Sequence, residues 1–332
     1  MAQSEGRRRE RQMTRAFTTE TKDHTPAHLA EQVDVVIPCY NAETWIARTI
    51  RSVQAQGHVV RRIIVVDDGS TDGSLAVLRP LAQADAITLL TGPNRGGCHA
   101  RNRGLKQAEA PHVMFLDADD EISGPMLTGS VEAALNSGAD VVFSAMEQRY
   151  PDGTSLRKPP PGQDAREIFE TWFDSGWVGT CSVVWRSAFL RKLGGWDETR
   201  RVGQDGELVL RALLAGARAA RNDKGVGVYH RGVEGSVSMG GGVSRDKLAG
   251  LIELISAMTE AARQKGWDDN LGHNHAALYF LARKGFMNGH ADLGRRALAV
   301  LRAAGHRGHH GSRAHVAMAS LIGLERKVRW FG

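Results

Sequence analysis

The feature that most constrains this chain is a recurring pair: a short aliphatic run stopped by polar turn residues, then a segment with helical spacing. VDVVIPCYN, from Val33, is halted at Pro38, and AETWIARTIRSVQAQ after it sets Trp45, Ile46, Ile50 and Val53 at helical intervals up to Gly57. RRIIVVDDGS repeats the pattern with Ile63 to Val66 and a helix from near Ser74. ITLLTG is a third strand with a helix over Cys98 to Ala108, HVMFLDADD a fourth, and the helix after Pro125 leads to ADVVFSAM, a fifth. Strands alternating with helices predict βαβ units, and so an α/β fold with a doubly wound, mainly parallel, Rossmann-like sheet. Ligands bind such sheets beyond the carboxyl ends of the strands. The polar residues gather at four of those ends: Pro38 to Asn41, Asp67 to Ser70, Asn94 to Gly97, and Asp117 to Asp120.

Residues 1–31 mix Arg and Glu without periodicity and read as a disordered leader; their basic start has no apolar core behind it, unlike a secretory signal. The body spans 32–240. Pro151 to Gly162 reads as a surface loop joining a nucleotide half, 32–150, to an acceptor half, 151–240. Gly240 to Gly242 marks a hinge. The stretch 244–332 reads as a helical C-terminal appendage, with Leu248, Leu251, Ile252 and Ile255 at i, i+3, i+4 and i+7. The formal charge of +6 invites a nucleic-acid reading, but its placement argues against one. From Arg245 onward there are 14 basic and seven acidic residues, against 29 and 30 before it, so the body is neutral and the excess lies in the tail. Three scattered cysteines, Cys39, Cys98 and Cys181, make no disulfide framework and fit a reducing compartment. No uninterrupted apolar stretch is long enough to cross a bilayer, so the expectation is a cytoplasmic protein, with the inner face of the cell membrane as a further location.

Taken alone, LDADD at Leu116 to Asp120 has two readings. Asp-x-Asp at a strand end projects hard oxygen ligands suited to Mg²⁺ or Mn²⁺, or it is an acidic turn that caps a helix. Asp67 and Asp68 at the neighbouring strand end favour the first, because so many carboxylates repel one another unless a cation or protons are present. VVIPCYNAETWIARTIRSVQAQ, IIVVDDGSTDGS, GPNRGGCHARNRGLKQA, FLDADD and GQDGELVLR, in that order, resemble a family-2 glycosyltransferase of the GT-A fold over roughly 33–238.

The resemblance implies site residues position by position. Pro38, Tyr40 and Asn41 would line the base and ribose pocket with Glu43 nearby, while Asn41 alone reads as a helix N-cap. Asp68 would accept the N3–H of uracil; by itself it reads as an Asx turn before Gly69. Gly96 and Gly97 would let the backbone approach the ligand, and Arg95 and Arg101 would supply cations to a diphosphate. Asp119 would meet the metal and Asp117 the sugar or ribose. Asp205 would be the catalytic base, its other reading being a helix N-terminal residue that complements the dipole. Here the chain departs from the family pattern, with Gln204 where Glu is usual and Glu207 where Asp is common, which removes a like charge beside Asp205. VYHRGVEGSVS, Val228 to Ser238, resembles a late segment that closes over the diphosphate, with His230, a candidate metal-side ligand, Arg231, Ser236 and Ser238. Trp177, Trp185 and Trp196 are candidates for stacking on an acceptor sugar, Trp196 foremost.

The implied reaction is inverting transfer of a sugar from a nucleotide-diphosphate donor, most simply UDP-linked, to a hydroxyl of a saccharide or lipid-linked acceptor in polysaccharide or glycoconjugate synthesis. The rival reading is a catalytically silent binding or scaffold protein on the same fold. A nicotinamide oxidoreductase would need a glycine-rich turn that PCYNAE lacks. The basic tail has two readings, peripheral contact with an anionic membrane or a solvated face on a helical cap or homodimer contact. His306, His309, His310 and His315 read as a flexible polar loop rather than a metal site.

Overall fold

Side-chain parity along the first strands decides which helices cover which face of the sheet. In the computed structural model, which describes residues 31–232, 244–267, 271–306 and 308–331, β1 (Val33–Cys39) lies between β2 (Val60–Asp67) and β4 (His112–Phe115), parallel to both. β3 (Thr88–Thr91) adds to β2, also parallel. Val36, Ile64, Val66, Val113 and Phe115 face one side, packed with Ala100 and Leu105 of α3 (Gly97–Gln107). Val35, Ile37, Ile63, Val65 and Met114 face the other, against Ile46, Ile50 and Val53 of α1 (Ile46–Gln54) and Leu78 of α2 (Ser74–Gln83). Burial on both faces is why these strands are aliphatic without alternation, and each such side chain contributes about 1.5–3 kcal/mol. The leader up to residue 30, Ser236, Ser238 and the Gly240 to Gly242 hinge lie outside the described residues.

Beyond β4 the sheet changes character. Its order is β3-β2-β1-β4-β8-β6-β9-β5, with β5 (Glu121–Ser123), β6 (Val141–Arg149), β8 (Val183–Arg186) and β9 (Ala219–His230). β8 runs antiparallel to both β4 and β6, β9 is parallel to β6, and β5 is antiparallel to β9. A parallel part, β1 to β4, thus continues into a mixed part that takes in β5 and β6 as well as the later strands. The expected surface loop from Pro151 to Gly162 is a hairpin instead: β7 (Ser155–Lys158) pairs with β6. Its exposed Ser155, Leu156 and Arg157 carry no buried-strand pattern, and only the pairing with β6 reveals the strand. The remaining helices of this part are α4 (Met126–Ser137), α5 (Ala165–Thr171), α6 (Ser187–Lys192) and α7 (Gln204–Leu214).

The C-terminal residues are helical as expected: α8 (Arg245–Gln264), α9 (Gly272–Met287), α10 (Ala291–Ala303), α11 (Arg313–Ile322) and α12 (Leu324–Phe331). Leu248, Ile252 and Ile255 join Leu278, Tyr279, Ala297, Leu301, Leu324 and Val328 in a core of their own. The histidines are not a loose loop. The Tyr279 hydroxyl lies 2.9 Å from His315 Nε2 and 3.1 Å from His309 Nδ1, and His306 and His310 stack with ring centroids 5.0 Å apart. Among the described residues no three His, Cys, Asp or Glu side chains are arranged to hold a metal ion. Nor is any described helix long and apolar enough to cross a membrane.

Candidate active site

The carboxyl end of β4 delivers Asp117, Asp119 and Asp120 to the crevice between the two halves of the sheet, and α1 holds their turn in shape. Arg48 donates through Nη2 to the Asp119 carbonyl at 2.7 Å, and its Nε lies 3.1 Å from Glu121 Oε1. The buried Thr49 hydroxyl lies 2.8 and 2.7 Å from the carbonyl oxygens of Ala118 and Asp120. Neither residue was anticipated; the available signal was their adjacency on a helix that follows the first strand. Burial, with the Asp117 charge adding to it, pushes the Asp119 carboxyl up to about 6. Asp120 is fully buried and is also pushed well up, first by burial and then by Asp119 and Asp117. Its Oδ1 accepts the His230 backbone N–H at 3.0 Å, and its Oδ2 has no partner among the described residues.

Arg101 ties this turn to α7. Its buried guanidinium donates to Asp117 Oδ1 at 2.5 Å and to Gln204 Oε1 at 3.0 Å, and lies 4.6 Å over the Trp196 ring. Burial opposes its charge, but the Asp117 carboxylate outweighs burial and raises its pKa. The departure at Gln204 therefore has a structural correlate: a neutral amide accepts from Arg101, leaving Asp117 as its one carboxylate partner by hydrogen bond. The Thr180 hydroxyl donates to Asp117 Oδ2 at 3.3 Å.

Asp205 stands in the first turn of α7. That turn begins after Gly203, whose φ of +66° is left-handed and where a Cβ would lie 2.7 Å from Leu254 Cδ2 of α8. Only glycine meets both conditions. The indole Nε1–H of Trp177 donates to Asp205 Oδ2 at 2.8 Å. Burial raises the Asp205 pKa and the Asp117 charge adds to the rise, while the indole hydrogen bond works against it. Of the three tryptophans, Trp177 is the one that hydrogen-bonds Asp205, while Trp185 and Trp196 line the cavity beside that carboxylate. Trp196 and Trp185 are buried at 4% and 3% exposure, Trp196 edge-on to Phe115 at 5.1 Å, so the expected stacking role of Trp196 gives way to one beneath Arg101.

At the carboxyl ends of β1 and β2, the residues between β1 and α1 brace the loop after β2. Asn41, at φ +50°, accepts the Thr71 N–H at 2.8 Å and caps no helix, since α1 starts at Ile46; Glu43 Oε2 accepts the Gly73 N–H at 2.5 Å. Pro38 lies in β1 opposite Val66, and Tyr40 is half exposed at 51%. Asp68 is buried, and its two oxygens accept the backbone N–H groups of Arg95 and Gly96 at 3.0 and 2.7 Å. That places the Gly96 turn, φ +96°, beside Asp68 at the start of α3. Arg95 is exposed, with no ion pair among the described residues.

Asp117, Asp119 and Asp205 thus share one crevice with Arg101, and Asp68, Arg95 and Gly96 adjoin it. His230 is placed differently from the expectation: its Nε2 lies 2.8 Å from Glu121 Oε1, and burial lowers its pKa. Of the set, Asp119 is the residue that offers a divalent cation an open ligand, Asp117 being engaged by Arg101. Asp119 is an oxygen donor with no side-chain bond among the described residues, in a carboxylate cluster whose raised pKa values a cation would relieve. His230, taken up by Glu121, does not fit as a ligand.

Residues 34–191 match the family model described as Glycosyl transferase family 2. The succinoglycan biosynthesis protein ExoO of Rhizobium meliloti is 29% identical over 220 residues, 62% of this chain and 62% of its own. The uncharacterized glycosyltransferase EpsJ of Bacillus subtilis is 28% identical, over 59% of this chain and 60% of its own. The match thus spans about six-tenths of the length of these relatives. Residues 1–349 of TarS from S. aureus, solved with UDP-GlcNAc, superpose with a TM-score of 0.63 at 19% identity, covering 90% of this chain and 91% of that one; the likeness is of fold. Order of motifs, GT-A architecture and family match agree, and the chain carries a family-2 glycosyltransferase domain over residues 34–191.

Proposed function

We propose that this chain transfers a sugar from a UDP-linked donor to a hydroxyl of a saccharide or lipid-linked acceptor, with inversion, in polysaccharide or glycoconjugate synthesis. The observation that carries the reading is Asp205, a carboxylate steadied by the Trp177 indole and facing the same crevice as Asp117 and Asp119. A single aligned base fits one displacement at the anomeric carbon. Asp205 Oδ takes the proton from the acceptor hydroxyl as its oxygen attacks from the face opposite the diphosphate. Trp177 keeps one carboxylate oxygen engaged and leaves the other to take the proton. Arg95 is free to swing toward the diphosphate, whereas Arg101 is committed to Asp117 and Gln204 and acts by fixing them.

Mg²⁺ or Mn²⁺, held by Asp119, would supply positive charge for the leaving diphosphate. UDP is preferred over other nucleotides because the TarS neighbour was solved with UDP-GlcNAc, and polysaccharide synthesis because ExoO is a succinoglycan biosynthesis protein. The three cysteines are free and buried, with the Cys39 thiol pushed up to about 12 and Cys98 to about 11 by burial, which suits a reducing compartment such as the cytoplasm. The test is UDP release with candidate acceptors. Asp205→Asn should lose about 10²–10⁴-fold in transfer while keeping UDP binding, and EDTA should silence the wild type until Mn²⁺ is restored. Wild-type turnover by the variant would refute the base assignment, and full activity in chelator would remove the metal.

A further inference from the structure

The C-terminal helix pair presents to solvent a surface unlike the rest of the appendage. On α11 the exposed residues Ala314, Ala317, Met318 and Leu321 fall at i, i+3, i+4 and i+7, an apolar stripe pointing outward. Leu321 is 84% exposed. On α12 the apolar Leu324 and Val328 turn inward to the core shared with α9, which leaves Arg326, Arg329 and Trp330 on the outer side, Trp330 at 62% exposure. Arg313, Arg326 and Arg329 make no ion pair or side-chain hydrogen bond among the described residues, whereas Arg245 and Arg295 in the same appendage are matched by Asp292 and Glu325.

We propose that the outer side of α11 and α12 docks on an anionic lipid bilayer, Leu321, Met318 and Trp330 entering the interface and Arg313, Arg326 and Arg329 meeting lipid phosphates. An apolar stripe beside an aromatic and unpaired guanidinium groups is the combination an interfacial helix needs. Each arginine gains a counter-charge it lacks among the described residues, and the leucine leaves water. A second copy fits the same surface less well. In a two-fold interface a patch meets itself, so Arg326 and Arg329 would be set against their own symmetry mates. The inference does not depend on the transferase reading.

The full chain is tested by flotation with phosphatidylglycerol–phosphatidylcholine vesicles and with phosphatidylcholine alone, over a range of salt. Binding is expected to the anionic vesicles only, to weaken as salt rises, and to fall about tenfold or more in Leu321→Asp and in the double variant Arg326→Ser/Arg329→Ser. Both changes are at exposed positions away from the active site, so an unaltered melting temperature and circular dichroism spectrum show that either variant is folded. If Leu321→Asp does not fold, the arginine pair alone decides. No binding by the wild type, equal binding by the folded variants, or vesicle-independent dimerisation lost in Leu321→Asp would each overturn the proposal.

Discussion

Trp177 shows how one side chain changes character between sequence and fold. As a residue among others it is a large aromatic with an unspecified surface to cover; in the fold its N–H is the hydrogen bond on the carboxylate that would act as base. That bond lowers the Asp205 pKa against the opposing pull of burial, so removing it should raise the pKa further. A base must be ionised to work. Trp177→Phe is therefore expected to move the acidic limb of the pH dependence of kcat/KM to higher pH, with about a tenfold loss near neutrality, the scale of one hydrogen bond to a charged group. A profile unmoved on the pH axis would show that the indole only fills space. Trp196 and Trp185 could not be told from Trp177 beforehand, because which indole is buried depends on contacts with Phe115 and Arg101 from distant parts of the chain.

At the scale of elements, legibility follows the range of the interactions. β1, β2, β4 and β6 declared themselves through aliphatic runs, since a strand buried on both faces needs no partner to be recognised. β9 did not. Its Arg221, Asp223 and Lys224 are exposed, and it is a strand because β6 and β5 flank it. The histidine cluster shows the same dependence: His306, His309 and His310 lie in a loop before α11, as their composition implies, but their gathering with His315 of α11 around Tyr279 of α9 is a long-range contact. Burial, the largest cause, lowers the pKa of His275, His309, His310 and His315 below their ordinary 6.5. The folded state then holds them neutral more strongly than the unfolded state does. Their stabilising contribution is complete above about pH 6.5 and is lost as pH falls toward the lowered folded values. Thermal melts between neutral and mildly acid pH should show the fall. His309→Gln/His310→Gln should flatten it, and an unchanged slope in that variant would refute the assignment.

Over the whole molecule, the first four parallel strands and their helices were readable almost in full, and the residues singled out there, Asp68, Arg101, Asp117 and Asp119, do lie at strand ends or at the helix beside them, because those motifs sit where single strands end. The joint between body and appendage was invisible, because it is made of scattered contacts, Gly203 beside Leu254 and Phe169 edge-on to Trp267 among them, between residues that have no pattern in common. A methyl group at Gly203 would strain a left-handed turn and strike that leucine, so Gly203→Ala should cost about 1–3 kcal/mol in chemical denaturation. It should also lower kcat more than it weakens UDP binding, since the helix it displaces carries Asp205 and only grazes the donor end. Equal losses in both would place the strain elsewhere. The contact gives the two substrates unequal tenancy in the molecule. On the proposed reading, donor recognition would be housed in a portable module, whereas Asp205, the proposed base, leans on the last quarter of the chain. Exchange of segments between relatives could carry the first away intact but would leave the second without its footing.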